Sequence, residues 1–371
     1  MIKYLGSKRR ILPAILGAIE GLVPPDGPGG ATVLDLFSGT ARVGQGLRAR
    51  GYRVIANDSA RFAVVLARCY VCADGPDLAE RAAAALADLR TAPPRAGWFT
   101  QRYAVEARYF HPDNAARIEG ARERIAARGY DADLEAVLLT ALMEAADRVD
   151  STVGVQMAYL KSWAPRALRP FELRMPQLGA GAGIALEGDA LDAARTQVAD
   201  VAYLDPPYNQ HSYLGNYHVW ETLVRWDDPQ VYGVARKRAD VRERKSRFNS
   251  RTAAAAALGE LIDAVRAPHL VVSFSDEGFL DRETVAALLE PRGTVAIAAL
   301  AQPRYVGARI GIHSPQGVPV GRVGRLANTE YLFVVRGRGV TQKASQKASQ
   351  KAPRAAPGTA SSAAPAATPS D

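Results

Sequence analysis

The chain has 371 residues, 48% hydrophobic and 23% charged, a composition that excludes a wholly disordered, collagen-like or fibrous protein. Forty-seven Lys and Arg against 38 Asp and Glu leave a formal charge of +9, which favours a polyanionic partner. Two cysteines exclude a disulfide scaffold and fit a reducing cytoplasm, and no run approaches the roughly 18 apolar residues of a membrane span. The start, Met1-Ile2-Lys3-Tyr4-Leu5-Gly6, lacks the apolar core of a secretory signal, so none is expected.

At roughly 100–200 residues per domain, this length predicts two domains or one with a large insertion. Thr32–Phe37 is a short apolar run ending in Ser38-Gly39, the pattern of a buried strand and a tight turn. A helical stretch, Arg42 to Arg50, stops at Gly51, and Arg53–Asp58 reads as a second strand ending in an acid. Together these make a βαβ unit. Residues 75–175 change character. Leu78–Arg90, Asp113–Arg128 and Asp133–Val149 read as helices, followed by an irregular stretch rich in Gly, Pro and aromatics. The α/β pattern resumes at Gly188-Asp189, Val201–Asp205 and His269–Phe274. Arg304–Ile312 and Glu330–Val335 are predicted to pair antiparallel around the turn residues Ser314-Pro315-Gln316-Gly317. Beyond about Gly339 the chain loses its large apolar residues and repeats Gln-Lys-Ala-Ser, which predicts a disordered basic tail. The expected division is a discontinuous α/β domain over 1–74 and 176–337, a helical insertion over 75–175, and the tail over 338–371.

Asp205-Pro206-Pro207-Tyr208 carries the strongest chemistry. An acid at the carboxyl end of an α/β strand faces the ligand crevice. Two prolines stiffen the turn and leave the Pro206 carbonyl free to accept. Asp205 and that carbonyl can accept the two N–H bonds of an exocyclic amine, and Tyr208 can stack on the ring that bears it. Drawing the hydrogens aside favours a pyramidal nitrogen whose lone pair can take an electrophilic methyl in line. The alternative is a stiffened strand exit with an incidental acid. Asp35-Leu36-Phe37-Ser38-Gly39-Thr40 is the second signal, with Asp58 placed to hold ribose hydroxyls. Gly39, Gly44 and Gly46 do not fit the dinucleotide fingerprint, and Asp35 inside the turn would repel a pyrophosphate but suit a cofactor with an amino group and a cationic centre.

These motifs, in this order, resemble the D12 class of DNA adenine N6-methyltransferases, related to the GATC-type adenine methylases. The resemblance spans about residues 1–337. It rests on Tyr4-Leu5-Gly6-Ser7-Lys8, Phe37-Ser38-Gly39, Asp58, a helical insert, Asp189 and Asp205–Tyr208, with Asn209–Tyr213, Tyr217–Thr222 and Asn328–Tyr331 also similar. It implies a Rossmann-like class I S-adenosylmethionine-dependent methyltransferase sheet, with the helical insertion recognising the target. It also implies that Tyr4, Lys8, Asp58 and Asp205 contact S-adenosylmethionine, joining Asp35, Phe37 and Gly39. The family's second turn glycine is Ala41 here. Asp189 is expected to accept from the cofactor's adenine amine or to be a turn aspartate.

The implied reaction is methyl transfer to adenine N6 in double-stranded DNA by base flipping, in a monomeric enzyme of a bacterial cytoplasm and its nucleoid, as an orphan methylase or beside a cognate restriction endonuclease. Rival readings are another exocyclic amine (cytosine N4, or guanine N2 in ribosomal RNA), a catalytically silent DNA-binding module, and a nicotinamide oxidoreductase, which the turn chemistry disfavours. Residues 236–251 hold eight basic side chains and two acids, so Arg236, Lys237, Arg238, Arg242, Arg244 and Lys245 are expected on DNA phosphates; the alternative is a solvated basic face. Cys69 and Cys72 form C-x-x-C without a second pair or a nearby His, and no metal site is expected.

Overall fold

Val33 and Leu34 are both fully buried, yet as neighbours on a strand they point to opposite faces. The computed structural model shows why. The strand β1, Thr32–Asp35, lies inside a seven-stranded sheet covered on both sides. Val33, Val54, Val201, Tyr203 and Val271 join the apolar cluster on one face. Leu34, Ile55, Ala202, Leu204, Leu270 and Val272 join the cluster on the other. The structure describes residues 1–25, 30–157, 162–181, 183–303 and 327–338.

The other strands follow in chain order: β2 (Arg53–Asp58), β3 (Ile184–Glu187) and β4 (Val201–Leu204), then a two-residue hairpin of β5 (Val231–Tyr232) and β6 (Lys237–Arg238) outside the main sheet, then β7 (His269–Ser275), β8 (Gly293–Pro303) and β9 (Ala327–Gly337). The sheet order is β3-β2-β1-β4-β7-β9-β8. The first five run parallel, whereas β9 is antiparallel to both β7 and β8. Counting the main-sheet strands alone gives 3-2-1-4-5-7-6, the expected Rossmann-like methyltransferase arrangement. The order reverses between β1 and β4, and ligands of such sheets bind outside the carboxyl ends of the strands at that switch point.

The expected strands and helices form within a few residues of their predicted limits. Among the described residues Glu330–Val335 pairs antiparallel with β7 on one side and with β8, a strand that the sequence pattern did not predict, on the other. Arg304–Ile312, the turn Ser314–Gly317 and the tail from Gly339 lie outside the described residues. Residues 75–175 carry the helices Gly75–Arg90, Pro112–Arg128 and Ala132–Arg148. Asp131 caps the last of these by accepting from Leu134 N at 3.1 Å. The apolar side of that helix (Val137, Leu138, Ala141, Leu142, Ala145) belongs to the same cluster as the first face of the sheet. Among the described residues no helix is long and apolar enough to cross a membrane.

Candidate active site

Asp35 ends β1 and Asp205 follows β4, one on each side of the switch point. Both line a cavity of about 330 Å³. Asp35 is 1% exposed, and among the described residues neither carboxylate oxygen has a donor at full hydrogen-bond geometry, although the Phe37 N–H is near enough to favour the ionised form slightly. Burial, then the nearby Asp205 and Asp58, push its pKa up to about 8. A buried carboxyl short of donors is costly, so these oxygens can accept from a donor that a ligand brings. Asp58, at the end of β2, accepts from Gly39 N and from Ala60 N, both at 2.9 Å. Burial raises it to about 6 against the opposing effect of those bonds.

The turn after β1 is shaped to let a ligand close. Gly39 has φ of +51°, and a Cβ there would lie 3.4 Å from the Tyr4 ring. Tyr4 is stacked with Tyr213 (5.3 Å between centroids) and Tyr217 (4.6 Å). Ala41 also adopts the left-handed conformation, at φ 59°. Family glycine at that position therefore has a backbone reason, and Ala41 retains the conformation at a cost of about 1 kcal/mol. Phe37 meets Phe248 edge-on at 5.5 Å.

Lys8 is buried and holds two carboxylates together: its Nζ is 2.9 Å from Asp205 Oδ1 and 2.6 Å from Glu330 Oε1. Glu330 Oε1 also accepts from Ser273 Oγ at 2.7 Å. Burial raises Asp205 to about 6; Lys8 pulls it down and Glu330 pushes it up. Pro207 lines the cavity beside Asp205. Tyr208 is not among the residues that wall this cavity; its ring packs against Phe274 at 6.0 Å, and its carbonyl accepts from Phe279 N. Asp189 is placed at the cavity and at the start of a helix. It lines the cavity, and it caps the helix Ala190–Thr196 by accepting from Leu191 N at 2.8 Å.

The basic segment divides. Arg238 is 3% exposed, with its guanidinium 2.7 Å from both oxygens of Asp227 and 3.1 Å from Asp240, so this residue is withdrawn from the expected phosphate contacts. Arg244 donates to the fully buried Glu221 at 2.8 Å and to the Ser59 carbonyl at 2.6 Å, which sets it in the cavity wall. Lys245 is exposed at the cavity rim, and Arg242 is exposed over the Tyr232 ring at 3.8 Å. Arg236 pairs with Glu106 at 2.8 Å, and Lys237 lies against Met157. Phe248 and Asn249 also line the cavity, although the sequence offered no signal for them beyond an aromatic inside a polar run. Asn249 donates to the carbonyls of Asn209 and His211, tying this segment to the loop after Tyr208. Burial raises the thiols of Cys69, to about 12, and of Cys72, to about 11.

A reversed-order parallel sheet with an acid at each of three adjacent strand ends, and a proline-stiffened acid at the switch point, defines a methyltransferase-type site. The comparisons with known proteins agree. The family model for D12 class N6 adenine-specific DNA methyltransferase matches residues 4–283, and the chain belongs to that family. The type II methyltransferase M.FokI of Planomicrobium okeanokoites is 31% identical over 315 residues, covering 79% of this chain and 47% of that protein. The type II methyltransferase M.NlaIII of Neisseria lactamica is 29% identical over 306 residues, covering 79% and 89%. The modification methylase StsI of Streptococcus sanguinis is 28% identical over 306 residues, covering 78% and 46%. The chain thus spans about half the length of the FokI and StsI relatives and most of the NlaIII one.

Proposed function

We propose that this protein transfers the methyl group of S-adenosylmethionine to N6 of adenine in double-stranded DNA. One observation carries the reading: Asp205 stands across the switch point from Asp35, whose two buried oxygens have no donor at full hydrogen-bond geometry among the described residues. That vacancy of partners fits a cofactor with an ammonium. Asp35 would hold the ammonium, Asp58 the ribose hydroxyls and Asp189 the adenine amine, with Phe37 and Gly39 at the cofactor's edge and Tyr4 buttressing the turn. When bound, the cofactor supplies an electrophilic methyl group.

The protein's own part is positioning and charge. Asp205 and the Pro206 carbonyl accept the two amine hydrogens of the target base, and Pro207 fixes the turn that presents them. Tyr208 offers its face to the base. A duplex hides that amine in the stack, so the base is flipped out at a cost of a few kcal/mol. Lys8 contributes by neutralising Asp205 from behind. Arg236, Lys237, Arg242 and Lys245 contact phosphates, and the helices over 75–175 recognise the target sequence. The partner is double-stranded DNA. The type II and modification-methylase names of the relatives support a place in a restriction-modification system, with the enzyme acting as a monomer beside a cognate endonuclease in the cytoplasm.

Asp205→Ala tests the reading. The variant is expected to keep its circular dichroism spectrum and to lose methylation of unmodified plasmid DNA. Wild-type formation of N4-methylcytosine in place of N6-methyladenine, read by nucleoside mass analysis, would refute the adenine assignment.

A further inference from the structure

Asp205 has two oxygens, and the two have unequal surroundings. Oδ1 is held by Lys8, while among the described residues Oδ2 takes no protein donor, in a side chain that is 19% exposed on the cavity. Lys8 could in principle swing to Oδ2 or straddle both oxygens, since its ammonium has three donors on a flexible stem. Glu330 removes that freedom. It is buried on β9, where Glu330 pairs in register with Ser275 of β7. Its carboxylate accepts from Ser273 Oγ on the same strand β7, and it takes a second donor of Lys8 at 2.6 Å. The hydroxyl thus fixes the carboxylate, the carboxylate fixes the ammonium, and the ammonium is kept on one side of Asp205.

We propose that Glu330 is a positioning residue: it holds Lys8 against Oδ1 of Asp205, so that Oδ2 remains the acceptor for the target amine. The proposal rests on the methyltransferase reading above. It also has an electrostatic side. One cation shared between two carboxylates neutralises Asp205 less completely than an exclusive pair would, which leaves Asp205 the stronger acceptor. The other ionisable groups facing Asp205 are Tyr4 and Lys8 from the N-terminal segment, Asp35 from β1, Tyr203 and Tyr208 from β4 and its turn, and Tyr213. Of these, Lys8 carries charge near neutral pH, whereas Asp35, pushed up to about 8, is mostly protonated, so Glu330 and Lys8 act in opposite senses on Asp205.

The test is Glu330→Gln in the full-length protein, with unmethylated plasmid DNA and tritiated S-adenosylmethionine under single-turnover conditions. The rate is expected to fall about tenfold to a hundredfold, the size of a misplaced acceptor. The affinities for S-adenosylhomocysteine and for the plasmid should stay as in wild type, because Glu330 touches neither. The acid limb of the pH–rate profile should move to lower pH, since a charge that raises Asp205 is gone. Glu330→Asp should restore part of the rate. Should Glu330→Gln fail to fold, Ser273→Ala, which keeps the charge, is expected to slow transfer roughly two- to tenfold through loss of one hydrogen bond. A folded Glu330→Gln with wild-type rate and unmoved acid limb, or a Ser273→Ala of wild-type rate in its stead, would overturn the proposal. Wild-type protein that binds S-adenosylhomocysteine but methylates no DNA would overturn the methyltransferase reading and this one with it.

Discussion

Replacing Asp35 with Asn interrogates the site where its chemistry is most exposed to measurement. The side chain is 1% exposed and, among the described residues, has no donor at full hydrogen-bond geometry, and its pKa is pushed up to about 8 from an ordinary 3.8. At pH 7 the ligand-free protein therefore holds Asp35 protonated by about ten to one. An incoming ammonium pairs with the ionised form, so binding must expel that proton. For S-adenosylhomocysteine, the apparent Kd should fall about tenfold between pH 6 and pH 7 and level off above about pH 8. Calorimetric titrations at pH 7 in buffers of different ionisation heat should report nearly one proton released. Asp35→Asn should abolish that release and most of the pH dependence above pH 7, where Asp58 and Asp205, each raised to about 6, are already ionised. Stability supplies a second readout. The folded pKa lies above the unfolded one, so stability from this group is complete below about pH 3.8. It then declines by about 1.4 kcal/mol per unit until the pH passes through the folded value near 8. Asn, which mimics the protonated acid, should make the ligand-free protein the more stable of the two at pH 8 and above. A wild-type Kd that is flat between pH 6 and 8, with no proton released, would refute this account of Asp35.

Gly39→Ala should cost about 1–2 kcal/mol in thermal or urea unfolding, because φ is +51°, a left-handed backbone that a Cβ disfavours. Lys8→Met removes the cation that lowers Asp205, so the acid limb of methylation should shift to higher pH, opposite in sign to the Glu330→Gln effect. Arg238→Ala should destabilise the fold by about 2 kcal/mol through its lost carboxylate partners, discounted for their partial exposure. Lys245→Ala should leave the melting temperature alone and reduce the salt slope of DNA binding by about one, as measured by fluorescence anisotropy across salt concentrations.

The strand ends were readable from the sequence because a buried parallel strand is a short apolar run, and an acid at its end has few reasons to be there. Asp35, Asp58 and Asp205 were found in this way. Ala41 shows the limit of such reading. As a residue type it differs from glycine by one methyl group; the left-handed backbone that makes the difference matter is not written in the local pattern. Arg238 and Lys245 show another limit. Seven residues apart in one basic run, one is interior and the other at a rim, and only the positions of Asp227 and Asp240 decide which. The strand Gly293–Pro303 went unread because alanines at 296, 298, 299 and 301 dilute its β-branched residues (Thr294, Val295, Ile297) and blur the apolar–polar alternation that marks a strand. Glu330 was readable as the start of a strand and as part of a resemblance but not as a neighbour of Asp205, since its partners, Lys8 and Ser273, come from distant segments.

That distance has a consequence for how the molecule comes into being. Lys8 and Glu330 are 322 residues apart in the chain, and β9 lies between β7 and β8 in the sheet. The Asp205 carboxylate cannot acquire its full surroundings until nearly the whole of the described chain has left the ribosome. At about 5–20 residues per second, this leaves a nascent chain with an exposed strand edge beside β7 for many seconds. Premature termination before residue 330 would yield an unfinished sheet and an incomplete charge arrangement, so partially made copies are expected to be inert on the genome.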